Sequence, residues 1–162
     1  MTRALFLALL IPSLLGGCAV RPLYSGGSNG VVARALGQVE VAPIAGRAGW
    51  LVRDALLARL PPSGAPVYRL DVDLDDRIDR FGIQEDDAST RERRVLRARY
   101  RLVELASGQA IVTATAGSDA GIDIASSEYA TIAAEETALE NLSAEIADQI
   151  VTRLSMHARR PG

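Results

Sequence analysis

The chain has 162 residues, 18 basic against 20 acidic, a formal net charge of -2, and 48% hydrophobic residues. That length and hydrophobic content suit one domain with a real core and argue against disorder. The near balance of charge removes any bulk-electrostatic case for nucleic-acid binding, and the single cysteine rules out an intramolecular disulfide.

The first element is a segment to be removed. Arg3 is followed by an apolar run from Ala4 to Leu15, then Gly16-Gly17-Cys18. A positive end, a short greasy core and a small-residue site form a secretory signal, and about a dozen apolar residues are too few to span a bilayer. Leu15-Gly16-Gly17-Cys18 resembles the bacterial lipoprotein processing box, in which the cysteine receives a diacylglycerol, the chain is cut before it, and the new amino group is acylated, commonly with palmitate. Lipidation of Cys18 would also remove a lone thiol from an oxidising compartment. A plain secretory signal with a chance cysteine is the competing reading. Loss of residues 1–17 removes Arg3 and no acid, leaving 17 minus 20, or -3.

Residues 18–37 read as a lipidated N-terminus and a flexible tether, with Ser25-Gly26-Gly27-Ser28-Asn29-Gly30 at its centre. A domain over 38–158 and a tail over 159–162 complete the expected organisation. Val39 to Ile44 reads as a short strand ended by Pro43. A turn over Gly46 to Gly49 leads to a helix from Trp50 to Leu60, with Leu51, Ala55, Leu56 and Leu60 on one face. Pro61-Pro62-Ser63-Gly64 stops it. A strand, a helix and a second strand within about 35 residues suggest a crossover between parallel strands.

The second strand alternates clearly: Tyr68, Leu70, Val72 and Leu74 face one way, Arg69, Asp71, Asp73 and Asp75 the other. A loop over Gly82 to Thr90 precedes a third strand, Arg93 to Leu105, with Leu96, Ala98, Tyr100 and Leu102 opposite Arg97, Arg99 and Arg101. Ser107-Gly108 turns into a fourth strand, Gln109 to Ala116. A long helix starts at Ser126 or Ser127, carries Tyr129, Ile132, Leu139, Leu142, Ile146, Ile150 and Leu154 on one stripe, and ends near His157. The expected fold class is α+β, order β-α-β-β-β-α, with two helices packed on one face of a four-stranded mixed sheet.

No catalytic constellation stands out, so the chain reads as a non-enzyme without a cofactor. His157 lies near an exposed end, and no serine sits in a nucleophile-elbow pattern. Asp71, Asp73, Asp75, Asp76 and Asp79 are split between strand faces by alternation and do not form a metal loop. If the second and third strands pair antiparallel, Asp71, Asp73 and Asp75 meet some of Arg97, Arg99 and Arg101 in a charge ladder. Alternatively Arg93, Arg94, Arg97, Arg99 and Arg101 contact an anionic ligand or partner, since guanidinium forks suit phosphate.

Four segments resemble the LPS-assembly lipoprotein family LptE in its α-proteobacterial form. They are Cys18-Ala19-Val20-Arg21-Pro22-Leu23-Tyr24, with Ala19 and Val20 where the family has Gly and Phe; Arg47-Ala48-Gly49 with Leu51, Arg53 and Leu56, with Trp50 where Gln is expected; Tyr68-Arg69-Leu70-Asp71-Val72; and Ser127-Glu128-Tyr129-Ala130. The resemblance implies an outer-membrane, periplasm-facing, lipid-anchored protein. Its partners would be an LptD-like outer-membrane β-barrel, which it helps to fold and plugs, and lipopolysaccharide. Ala19, in place of the Asp common in inner-membrane lipoproteins, agrees with outer-membrane sorting. The alternative is another periplasm-facing lipoprotein, such as an accessory subunit of a lipid transport system.

Overall fold

The computed structural model describes residues 31–81, 91–124 and 127–159. Cys18, the signal, the loop over Gly82 to Thr90, Ser126 and residues 160–162 lie outside the described residues. The elements run α1 (Val31–Leu36), β1 (Val39–Val41), α2 (Gly46–Arg59), β2 (Tyr68–Phe81), β3 (Arg91–Glu104), β4 (Ala110–Asp123) and α3 (Glu128–Ala158). The sheet order is β1-β2-β3-β4, parallel between β1 and β2 and antiparallel elsewhere. The mixed four-stranded sheet with α2 and α3 on one face is the architecture that the alternation predicts.

Several bounds differ from the expectation, among them β1, which stops at Val41 short of Ile44, and β3, which starts at Arg91 ahead of Arg93. The spacing predicts tether up to residue 37, yet Val31–Leu36 is helical and Leu36 is buried, so the packed unit begins before residue 38. Six residues have little helix stability of their own, and α1 is held by packing against α3. The expected turn over Gly46 to Gly49 is instead the first turn of α2. Gly49 is buried against the incoming chain, where a Cβ would stand 2.6 Å from the Ile44 carbonyl oxygen. Glycine at that position is a packing requirement inside a helix.

β4 runs seven residues past its expected end at Ala116, to Asp123. Gly117-Ser118-Asp119-Ala120-Gly121 has turn-like composition, but its backbone pairs with Arg93 to Arg97 of β3. Pairing along a long neighbour overrides weak strand propensity. The hairpin between β3 and β4 turns through Gly108 at φ 70°, as a glycine there allows. Tyr129 and Ile132, expected on the buried stripe of α3, are 83% and 52% exposed. Burial on α3 begins at Ala138 and continues through Leu139, Leu142, Ile146, Ile150 and Leu154. That stripe meets Val52 and Leu56 of α2 and Leu70, Leu96, Ala98 and Tyr100 of the sheet in one core.

Strands of 14 residues and a helix of 31 are each about 46 Å long, from rises of roughly 3.3 and 1.5 Å per residue. One long helix therefore runs the length of the sheet. Arg59 ties α2 to α3 through Asp148, with nitrogen–oxygen distances of 2.5 and 3.1 Å, and Arg47 does so through Glu136 at 2.9 Å. Trp50 projects from α2, 60% exposed, with the Arg47 guanidinium 5.9 Å from its ring centre.

Candidate functional site

Because side chains alternate across a strand, covering one face with helices leaves the other to carry every second residue of β2, β3 and β4. On this open face stand Arg69, Asp71, Asp73, Asp75, Arg77 and Asp79 of β2. Beside them are Arg91, Arg93, Val95, Arg97, Arg99 and Arg101 of β3. Thr113, Thr115, Gly117, Asp119, Gly121 and Asp123 of β4 complete it. The register sets Asp71 opposite Arg101, Asp73 opposite Arg99 and Asp75 opposite Arg97. The expected charge ladder is present.

Its rungs are unequal. Arg99 reaches Asp73 at 2.7 Å, and Arg69 reaches both oxygens of Asp71 at 2.8 and 3.2 Å, leaving Arg101 at 3.8 Å. Arg93 crosses diagonally to Asp119 at 2.9 Å, and Arg91 pairs with Asp123 at 3.0 Å. The hydrogen bond from Arg93 holds the Asp119 carboxyl below the usual carboxylate range. The Arg99–Asp73 and Arg91–Asp123 side chains are well exposed, so solvent screens such rungs and they add little to stability. Register and solubility gain more from this ladder than stability does.

Arg97 and Arg77 make no ion pair among the described residues. With Asp79, Arg93 and Asp119 they line a groove of about 380 Å³ floored by Gly117. Gly117 contributes no side chain, and a Cβ there would come within 3.6 Å of the Arg97 side chain. A second groove of about 680 Å³ lies between Asp71, Asp73, Arg99, Arg101, Thr113 and Thr115. Together these form a wide polar surface with two uncommitted guanidinium groups. Composition marked Arg97 but gave no sign of Arg77 or Gly117, whose roles depend on the β4 register.

Arg94 is set apart from the other four candidate arginines. Odd and even positions of β3 face opposite ways, so Arg94 lies on the helix side, its side chain 12% exposed. Its Nε and Nη2 donate to the two Asp76 oxygens at 2.9 and 2.7 Å, and its Nη1 donates to the Glu135 carbonyl at 3.0 Å. Nearby, Glu92 is buried. One of its oxygens accepts from Arg80 Nε at 2.6 Å, and the other has no hydrogen-bond partner among the described residues. These groups seat the N-terminal half of α3 on the polar end of the sheet.

Burial, and next the neighbouring Glu92, raise the Glu135 pKa above the ordinary glutamate value. The native state therefore holds this proton more tightly than the unfolded chain, and stability falls as pH rises from the ordinary value through the raised one. Glu135→Gln keeps the size and polarity of the side chain without the charge. Urea titrations from pH 4 to 8 are expected to show the variant gaining on the parent protein as pH rises, then levelling off. A constant offset across that range would contradict the arrangement.

A family model described as LptE, lipopolysaccharide-assembly, matches residues 36–154. No curated protein matches the sequence. Among solved structures, a candidate lipoprotein from Caulobacter crescentus CB15 is 23% identical, covering 83% of this chain and 100% of that one, with a TM-score of 0.70. The minor lipoprotein of Acinetobacter baumannii is 12% identical over 76% of this chain and 97% of that one, TM-score 0.58. The rare lipoprotein B of Shewanella oneidensis is 9% identical over 74% and 94%, TM-score 0.56. At such identities the structural likeness is one of fold.

Proposed function

Because the chain belongs to the LptE lipopolysaccharide-assembly family, we propose that it helps an LptD-like outer-membrane β-barrel to assemble and plugs its lumen. The family is a non-enzymatic lipoprotein scaffold of the cell envelope, with a role in lipopolysaccharide transport and outer-membrane assembly. The finer reading, with its barrel partner, outer-membrane placement and lipid anchor at Cys18, rests on a physical fit.

The observation that carries it is the open sheet face, about 46 Å long, charged on most positions and uncovered by any described helix. Barrel lumens are polar, with inward-facing positions alternating along each strand. A stiff polar slab backed by a full-length helix suits such a lumen. On this reading residues 1–17 direct export, Cys18 carries the acyl chains, and the packed domain reaches the lumen on a glycine-rich tether that keeps its local concentration high. Arg93, Arg97, Arg99 and Arg101 face the lumen or its lipopolysaccharide cargo. Arg97, with Arg77, has a fork free for a sugar phosphate.

Affinity purification of the tagged protein from detergent-solubilised outer membrane is expected to bring down a β-barrel of LptD size. Depletion is expected to strip lipopolysaccharide from the cell surface. Recovery of the protein without a barrel, together with unchanged surface lipopolysaccharide, would sink the proposal.

A further inference from the structure

β1 pairs Val39–Val41 with Tyr68–Leu70 and no further, so among the described residues the outer edge of β2 from Asp71 to Phe81 has no strand beside it. The backbone direction is fixed by bonds at the start of β2. Tyr68 N–H donates to the Gln38 carbonyl at 3.1 Å, and the Leu70 carbonyl accepts from Ala42 N–H at 3.0 Å. The Val67 carbonyl instead takes Leu105 N–H at 2.9 Å. Even-numbered residues of β2 therefore point outward, and the antiparallel register is unbroken through Phe81. Val72, Leu74, Asp76, Ile78 and Arg80 present N–H and C=O groups at this edge with no backbone partner among the described residues.

The opposite edge of the sheet is treated differently. Midway along β4, Gly117 N–H donates to Gln149 Oε1 at 3.2 Å and the Gly117 carbonyl accepts from Gln149 Nε2 at 3.1 Å. A side chain of α3 thus occupies the place where a fifth strand would pair. Among the described residues β2 has no such stopper, and a long bare edge is a template for strand addition.

The side chains of β2 state what would fit. On the helix side Leu70, beside β1, is fully buried, whereas Val72, Leu74 and Ile78 beyond the end of β1 are only half-buried. The cover they lack is apolar and would come from alternate residues of an added strand. On the open side Asp73 is taken by Arg99, while Asp75 and Asp79 make no ion pair among the described residues. An added strand would meet them with Lys or Arg. A second copy of this edge would set aspartates against aspartates, which is unfavourable.

We infer that the free edge of β2, from Val72 to Arg80, receives an extended segment of the barrel partner, apolar and basic at alternate positions, as a fifth strand. This rests on the plug reading. Main-chain hydrogen bonds would supply affinity and the two unpaired aspartates would set register, as in other strand-addition complexes.

The test uses the full-length protein in its own membrane, with a photo-cross-linking side chain at Arg77 and, as controls, at Thr115 and Trp50. Val72→Pro removes an outward N–H that β3 does not use. Asp75→Arg with Asp79→Arg reverses the charge without touching the backbone. The Arg77 probe is expected to capture a barrel segment of alternating apolar and basic residues, and both changes are expected to cut that adduct about tenfold while leaving the control adducts intact. Barrel adducts from Thr115 or Trp50 but not from Arg77, or an Arg77 adduct indifferent to both changes, would overturn the edge assignment and leave the plug reading standing. Capture of a second copy, or of the chain's own residues 19–30, would also overturn it. Absence of barrel adducts from every position would remove the plug reading itself.

Discussion

Serine at position 18 is expected to abolish palmitate incorporation and to remove the protein from the outer-membrane fraction. The magnitude follows from chain length. A single acyl chain gives a partition constant of only about 10⁴ M⁻¹, while each buried methylene adds about 0.8 kcal/mol. Three chains on one cysteine are therefore effectively permanent, and without them the domain keeps only its contacts with the barrel. Among the described residues no helix is long and apolar enough to cross a membrane. The uncut run Ala4 to Leu15 is too short to span and would hold the variant only where export stalls. Radiolabelled palmitate and density fractionation read both effects. Unchanged labelling and unchanged density for Cys18→Ser would dismiss the anchor.

Truncation of Ile146 to alanine is expected to cost about 3–4 kcal/mol of stability. Ile146 is fully buried at the middle of α3, one turn from Leu142 and Ile150, in the core shared by α2 and the sheet. The site cannot collapse onto the cavity, because long strands on one side and α2 on the other fix the distance. Urea unfolding is expected to show a midpoint about 1–2 M lower with an unchanged slope. Ile132→Ala, one face earlier in the same predicted stripe, is expected to change stability by less than about 0.5 kcal/mol, because Ile132 is exposed. Equal losses from the two changes would contradict the packing of α3.

The contrast between Ile146 and Ile132 shows what periodicity conveys. The apolar spacing on α3 is legible from Leu139 onward because burial follows it there. Nothing in the spacing tells that the core stops at Ala138, since that limit is set by what stands opposite. Under the exposed turns the sheet carries Glu92, Arg94 and Asp76 instead of leucines. Tyr68 to Leu74 was legible because one-sided burial imposes a period of two, and the register that follows placed Asp71, Asp73 and Asp75 against three arginines. The second half of β4 was not, because Gly117 and Gly121 are strand residues only by virtue of the partner they pair with. α1 was hidden by its brevity and by the glycine-rich run before it. Which arginines remain uncommitted was beyond the sequence as well. Arg93 has Asp79 opposite it on β2 and the bare Gly121 on β4, yet its fork reaches diagonally to Asp119.

The alternation of sign on the open face has a consequence for how partners are found. Positive and negative groups a few ångströms apart cancel within the roughly 8 Å over which charge is felt at physiological salt. At a distance this surface looks electrically blank, neither drawing molecules in nor driving them off. Discrimination there happens only at touching range, where each fork and carboxylate is met or missed, so changes in ionic strength should alter the speed of encounter little.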